Sequence, residues 1–361
     1  MANFSQASGF LMDHTKKSTY FYPIDALRVF SILAVILIHT TTKTLANLDH
    51  NVVDGAFSLF LNQMARFAVP MFFLISGFVL ELNNREVPYT TYFKKRISRV
   101  ATPFLFWSLL YFLLGNSMDI KKIFSYEFLN IFINGKASYH LYFIPTLVIF
   151  YFTFPLLHRT LNFLKKLWVI ALIWVIQIIL LAIDYYIKPL EINQTLRIAI
   201  LVFAMFVTGM TASHYKEMIL EYAKKYLFLI STVTLVLLGI IFFHVIELTT
   251  LRKTTTFIYN QHGPLNYVYT LLLSIAGVYF FERKRGLELF FIKFSKLSFF
   301  VFFIHVLILD YFWNLFVRPQ IPHDSLKQVW FDPMFFAVIT LLSFSIAYIV
   351  HKIPYASKIT G

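Results

Sequence analysis

Long apolar runs return at short intervals from residue 24 to residue 351, most of them bounded by lysine or arginine. Ten can be drawn: 24–42, 61–82, 100–115, 141–157, 167–184, 196–214, 226–246, 265–281, 298–317 and 333–351. A helix needs roughly 20 apolar residues to cross a hydrocarbon core about 30 Å thick, and lipid offers its backbone no other hydrogen-bond partners. The expected fold is therefore all-α: a polytopic integral membrane helical bundle of about ten transmembrane helices. A chain 58% hydrophobic and only 14% charged excludes an ordinary soluble domain. The expected organisation is a short N-terminal tail over 1–22, a single membrane domain over 23–352 and a short tail over 353–361. Pro70, Pro103, Pro145 and Pro155 are expected to kink or end helices. Segment 124–133 is apolar but too short to cross, and reads as a surface or partly dipping element.

The positive charges orient these runs. With the N-terminus in the cytoplasm, twenty lysines and arginines fall on that side and ten on the other, with Arg28 and Arg66 inside spans. Cytoplasmic loops carry the excess of Lys and Arg, so both termini are expected inside. The net charge of +14 is thus spread over membrane flanks and does not mark a nucleic-acid partner. There is no cysteine, which excludes disulfides, cysteine metal ligands and a cysteine acyl carrier.

The first span contains groups that an anchor does not need. It carries Asp25 and Arg28 near one end and His39 near the other. Eleven residues at 1.5 Å rise separate Arg28 from His39 by roughly 16 Å. Ionisable groups at membrane depth cost about 2.5–3.5 kcal/mol on insertion scales, so each is a candidate for function. The next span opens with Asn62, Gln63 and Arg66 on the side of His39, and later holds the small pair Ser76–Gly77, which suits close helix packing.

Between spans two and three lies a basic stretch, YTTYFKKRISRVATP. Lys95, Arg96 and Arg99 share a helix face there, and could bind phosphate groups or anionic lipid headgroups. His140 and His305 begin or enter later spans, where each could simply hydrogen-bond across helices. No H-E-x-x-H, P-loop or dinucleotide glycine fingerprint occurs, and no metal is expected.

FYPIDALRVFSILAVILIHT, VPMFFLISGFVL and YFKKRISRVATP together closely resemble the membrane acyltransferase-3 family. Arg28, ten intervening residues and His39 match one family motif, and Arg96 with Arg99 match its arginine-x-x-arginine pair. HLYFIP from His140 and SKLSFFVFFIH ending at His305 resemble looser signatures. The resemblance implies a bacterial plasma-membrane enzyme of the compact form, without a fused extracytoplasmic domain. It would move an acetyl, succinyl or similar group from cytoplasmic acyl-CoA to a hydroxyl of a cell-envelope or exopolysaccharide sugar. Its partners would be acyl-CoA (acetyl-CoA or succinyl-CoA), a lipid-linked or polymeric glycan, membrane lipids and, in a homo-oligomer, a second copy.

In that scheme His39, Arg28 and Arg66 form the catalytic set: His39 as base, Arg28 toward the donor or the developing charge, Arg66 orienting the acceptor. Arg96, Arg99 and Lys95 hold the donor's phosphates. The alternative is a transporter or flippase of a polar lipid-linked glycan, which calls for broken helices or repeated halves around a central site. No such halves can be identified.

Overall fold

The computed structural model describes residues 20–48, 55–84, 88–184, 192–251, 263–354 and 356–360. Among them the regular structure is helical, with no strand. The principal helices are α1 (Pro23–Asn47), α2 (Ala56–Leu82), α3 (Tyr89–Gly115), α4 (Tyr126–Ile133), α5 (Phe143–Arg159), α6 (Leu167–Ala182), α7 (Gln194–His214), α8 (Lys216–Lys225), α9 (Leu227–Leu251), α10 (Pro264–Arg283), α11 (Glu288–Phe312) and α12 (Phe331–His351). All ten apolar runs lie on helices. Eight of the described helices are long and apolar enough to cross a membrane, whereas α5 and α6, with 17 and 16 residues, are shorter. The protein is an all-α polytopic membrane protein. The tail at 1–19 lies outside the described residues.

Local sequence explains the course of three elements. The basic stretch between spans two and three is the first part of α3, since Lys and Arg are good helix formers and the fold leaves them a polar end to face. Pro103 sits inside that helix without ending it. At Pro70 the absent N–H cannot reach the Arg66 carbonyl, and Ala65–Phe67 tightens into a 3₁₀ turn within α2. Pro145 falls in the first turn of α5, where its missing donor is no loss. Segment 124–133 contains the short α4, which exposes Tyr126, Leu129 and Ile133, while Phe128 and Phe132 pack on Phe112 and Phe104 of α3.

Polar contacts tie the helix ends into two faces of the bundle. At one end Tyr22 donates to the Lys284 carbonyl (3.3 Å), and Glu81 is flanked by His158 (2.9 Å) and His214 (3.2 Å). Arg159 reaches the Tyr89 hydroxyl there at 2.9 Å. At the other end Lys43 pairs with Asp310, and Thr44 donates to Asp332, both at 2.7 Å. Helices α1, α2, α11 and α12 thus alternate in direction, and α1 and α11 run parallel. We name the two ends after their chemistry, basic and histidine.

The interior is closed by aromatic packing and by a glycine crossing. Gly77 of α2 and Gly209 of α7 face each other so closely that a Cβ on either would lie 2.0 or 1.9 Å from a carbonyl oxygen of the other helix. This is the small-residue packing expected of Ser76–Gly77. Gln177 of α6 adds a buried clamp, donating to the Leu201 carbonyl (2.8 Å) and accepting from the Ala204 N–H (3.0 Å). Large apolar side chains of α6 and α9, among them Leu172, Ile179, Leu235 and Phe243, remain uncovered by protein, as lipid-facing residues do.

Candidate active site

The basic end opens into two adjoining cavities. The outer, about 440 Å³, is lined by Asn83, Asn84, Thr91, Tyr92, Lys95, Arg96 and Arg99. The inner, about 310 Å³, shares Arg96 and Arg99 and adds Arg28, Ser76, Tyr151, Ser295, Ser298 and Phe302. Three arginines from α1 and α3 therefore face one space. Helix geometry explains the pair on α3: residues three apart lie on one face, with Lys95 one turn before Arg99.

Arg28 is held by neighbours that leave part of its guanidinium exposed to the cavity. Its Nη1 donates to Asp25 (3.2 Å) and to Ser295 of α11 (2.9 Å), and Ser295 also donates to Asp25. Asp25 further accepts from Tyr20. A carboxylate one turn before an arginine, with a serine from the facing helix, fixes the planar guanidinium in place. The sequence named Arg28 and Asp25 but not Ser295. Asp25 was legible as an i, i+3 partner, whereas Ser295 was not, because its spacing to Arg28 exists only in the fold.

About 16 Å along α1 lies the second centre. His39 is half-buried, stacked on His305 with ring centroids 5.3 Å apart, and within 6.5 Å of His140; His140 and His305 are 5.2 Å apart. His140 and His305 are almost fully buried. The structure brings together three histidines that the chain separates by more than a hundred residues at each step, and it gives the two later ones a place that sequence spacing could not.

Their hydrogen bonds differ. His305 Nδ1 is 3.0 Å from the Val301 carbonyl, which only accepts, so in the neutral ring the proton sits on Nδ1 and Nε2 is the acceptor. His140 Nδ1 is 3.1 Å from the Ser138 hydroxyl. Both Nε2 atoms are buried without a protein partner. A buried imidazole nitrogen lacking a partner costs free energy, so this cluster is suited to a polar ligand atom.

The approach to His140 depends on a turn. Gly135 has φ +62, a left-handed conformation, and a Cβ there would lie 2.7 Å from the Leu141 carbonyl oxygen. Tyr139 rests on His39 with centroids 4.9 Å apart. Tyr111 of α3 packs edge-on to His140, donates to the Phe303 carbonyl (2.7 Å) and accepts from the Leu307 N–H (3.1 Å). Tyr111 thus anchors α11 beside His305; nothing in its apolar sequence context marked it out.

Arg66 lies at the histidine end of the bundle. Its Nε and Nη2 donate to Asn62 Oδ1 at 3.2 and 3.0 Å. Asn62 Nδ2 in turn lies within 3.0 Å of the Ile38 carbonyl and the Thr41 and Thr42 hydroxyls, which flank His39 on α1. Of the residues singled out from sequence, the fold groups Arg28, Lys95, Arg96 and Arg99 at the basic end, and His39, His140 and His305 at the other. Arg66 connects to the second group through Asn62. Among the described residues no three His, Asp or Glu side chains are arranged so that they could hold a metal ion.

Residues 21–352 match the family described as an acyltransferase domain, nearly the whole chain. The chain belongs to the acyltransferase-3 family. It is a membrane acyltransferase acting on sugars, and it transfers groups other than aminoacyl groups. Comparison with curated proteins and with solved structures gives no match.

Proposed function

We propose that this acyltransferase takes an acetyl, succinyl or similar group from acyl-CoA at the basic, cytoplasmic end and transfers it to a hydroxyl of a cell-envelope or exopolysaccharide sugar at the histidine end. The observation that carries the reading is the alignment of two centres on one helix pair. Arg28 meets Ser295, and His39 meets His305, along parallel α1 and α11. Arg96, Arg99 and Lys95 would hold the phosphates of the nucleotide, for which forked guanidinium donors are well shaped. The pantetheine arm then enters the inner cavity past Arg28.

His39 acts as the general base. As the sugar oxygen attacks the thioester carbonyl, a C–O bond forms and the C–S bond breaks. The hydroxyl proton passes to His39 and from it to the departing CoA thiolate. Partial exposure of His39 suits it to meet an acceptor, whereas buried His140 and His305 frame it. The Arg66–Asn62 link would hold the end of α1 and present a cation toward the acceptor's oxygens. Twice as many cations on the N-terminal side as on the other support a cytoplasmic basic end in a bacterial plasma membrane.

The test is His39→Gln in purified protein, read by acyl transfer and by CoA binding together. Transfer should fall by about 10²–10⁴-fold, the usual loss for a positioned acid–base group, with CoA binding retained. Near-normal transfer by the folded variant would reject the assignment. Glycan mass spectrometry of cells with and without the protein should show an acyl mass difference on an envelope glycan; its absence would reject that acceptor class.

A further inference from the structure

On α11 the residues Ser295, Ser298, Phe302 and His305 recur at spacings of three, four and three, which places them on one helix face. The first three line the inner cavity, and the fourth belongs to the histidine cluster. Phe302 belongs to both. Its ring lies 5.2 Å from that of His140 and 6.4 Å from that of His305, while it also borders the cavity that holds Arg28. Phe143 meets it at 5.5 Å and Phe72 meets Phe143 at 5.8 Å, and all three rings line the cavity. A connected row of aromatic rings thus stands between the open space at the basic end and the imidazoles.

Resting on the donor site proposed above, we propose that Phe302 is the gate of this row, and that its ring sets the length of acyl group the enzyme transfers. The thioester carbonyl has to reach the histidine cluster, and Phe302 is the cavity-lining ring that touches it, through His140 and His305. The adjoining cavity of about 310 Å³ gives the ring somewhere to turn. Closed, it keeps water that has reached the histidines away from the thioester, which otherwise hydrolyses without an acceptor. Open, it leaves a slot bounded by Phe143 and Phe72, in which a short acyl chain fits and a longer one meets the rings. An apolar pocket discriminates by about 10–200-fold for each methylene, enough for one side chain to decide the donor.

The experiment compares acetyl-CoA with butyryl-CoA on wild type, Phe302→Leu, Phe302→Ala and Phe302→Trp, each as the full chain in lipid nanodiscs. Release of CoA thiol is followed with and without envelope glycan from the same cells. Phe302→Leu and Phe302→Ala should raise the butyryl-to-acetyl rate ratio by about tenfold or more, and raise acceptor-free hydrolysis. Phe302→Trp should lower transfer from both donors. An unchanged ratio and unchanged hydrolysis in a folded, CoA-binding Phe302→Leu protein would overturn the gate; the leucine variant serves should alanine fail to fold. Failure of the donor site is separable: CoA binding insensitive to Arg96→Ala and Arg99→Ala overturns that reading, and the gate with it. Arginine-dependent CoA binding with a Phe302-independent ratio overturns the gate alone.

Discussion

Gly77→Ala and Gly209→Ala probe the crossing that holds the donor cavity in shape. In each, the new methyl carbon meets a backbone carbonyl oxygen, at 2.0 Å from Phe206 or 1.9 Å from Leu74. Backbone cannot rotate aside as a side chain can. To restore even a tight separation near 3.0 Å, α2 and α7 must part by about 1 Å. Overpacking a well-packed interior costs typically about 1–3 kcal/mol, and contact with backbone puts these sites toward the upper part of that range. The displacement also carries Ser76, next to Gly77 and part of the inner cavity, so CoA binding should weaken alongside stability.

Both alanines press on the same crossing, and one separation of the helices relieves both. The double variant should therefore lose less than the sum of the singles, a coupling that appears only between neighbouring sites. Thermal inactivation in nanodiscs and CoA titration measure the two effects. Unchanged stability in either single variant, or strict additivity in the double, would refute the reasoning.

Further outcomes follow from the same geometry. Changing Arg96 and Arg99 together to alanine should raise the KM for acyl-CoA with little change in membrane insertion; unchanged donor kinetics would return the basic face of α3 to a lipid-headgroup role. Gly135→Ala, forced into a left-handed turn against the Leu141 carbonyl, should cost about 1 kcal/mol or more and displace His140, seen as lower transfer with CoA binding kept. In this cysteine-free chain, Thr90→Cys should react with a membrane-impermeant thiol reagent only from the cytoplasm and Ala46→Cys only from outside. Labelling of both from one side would reject the span order. Ser295→Ala should loosen Arg28 and weaken donor binding severalfold, whereas an unaltered dissociation constant would show that Asp25 alone orients the guanidinium.

The run lengths and their basic boundaries by themselves determined an all-helical membrane bundle, because lipid leaves a spanning backbone no other way to satisfy its hydrogen bonds. They also exposed Arg28, His39, Arg96 and Arg99, since ionisable groups stand out against hydrocarbon and pair by helix spacing. The small pair at Ser76–Gly77 was legible for the same reason. The extent of α3 and α11 was not, because their lysine- and arginine-bearing first turns interrupt the apolar signal. Only the tertiary structure decided which side chains share a site. Ser295 meets Arg28, and His140 and His305 meet His39, across gaps far longer than any helical period. Phe302 is one phenylalanine among 43, indistinguishable in the chain, and takes its place between cavity and histidines solely from the packing of α11 against α1 and α5.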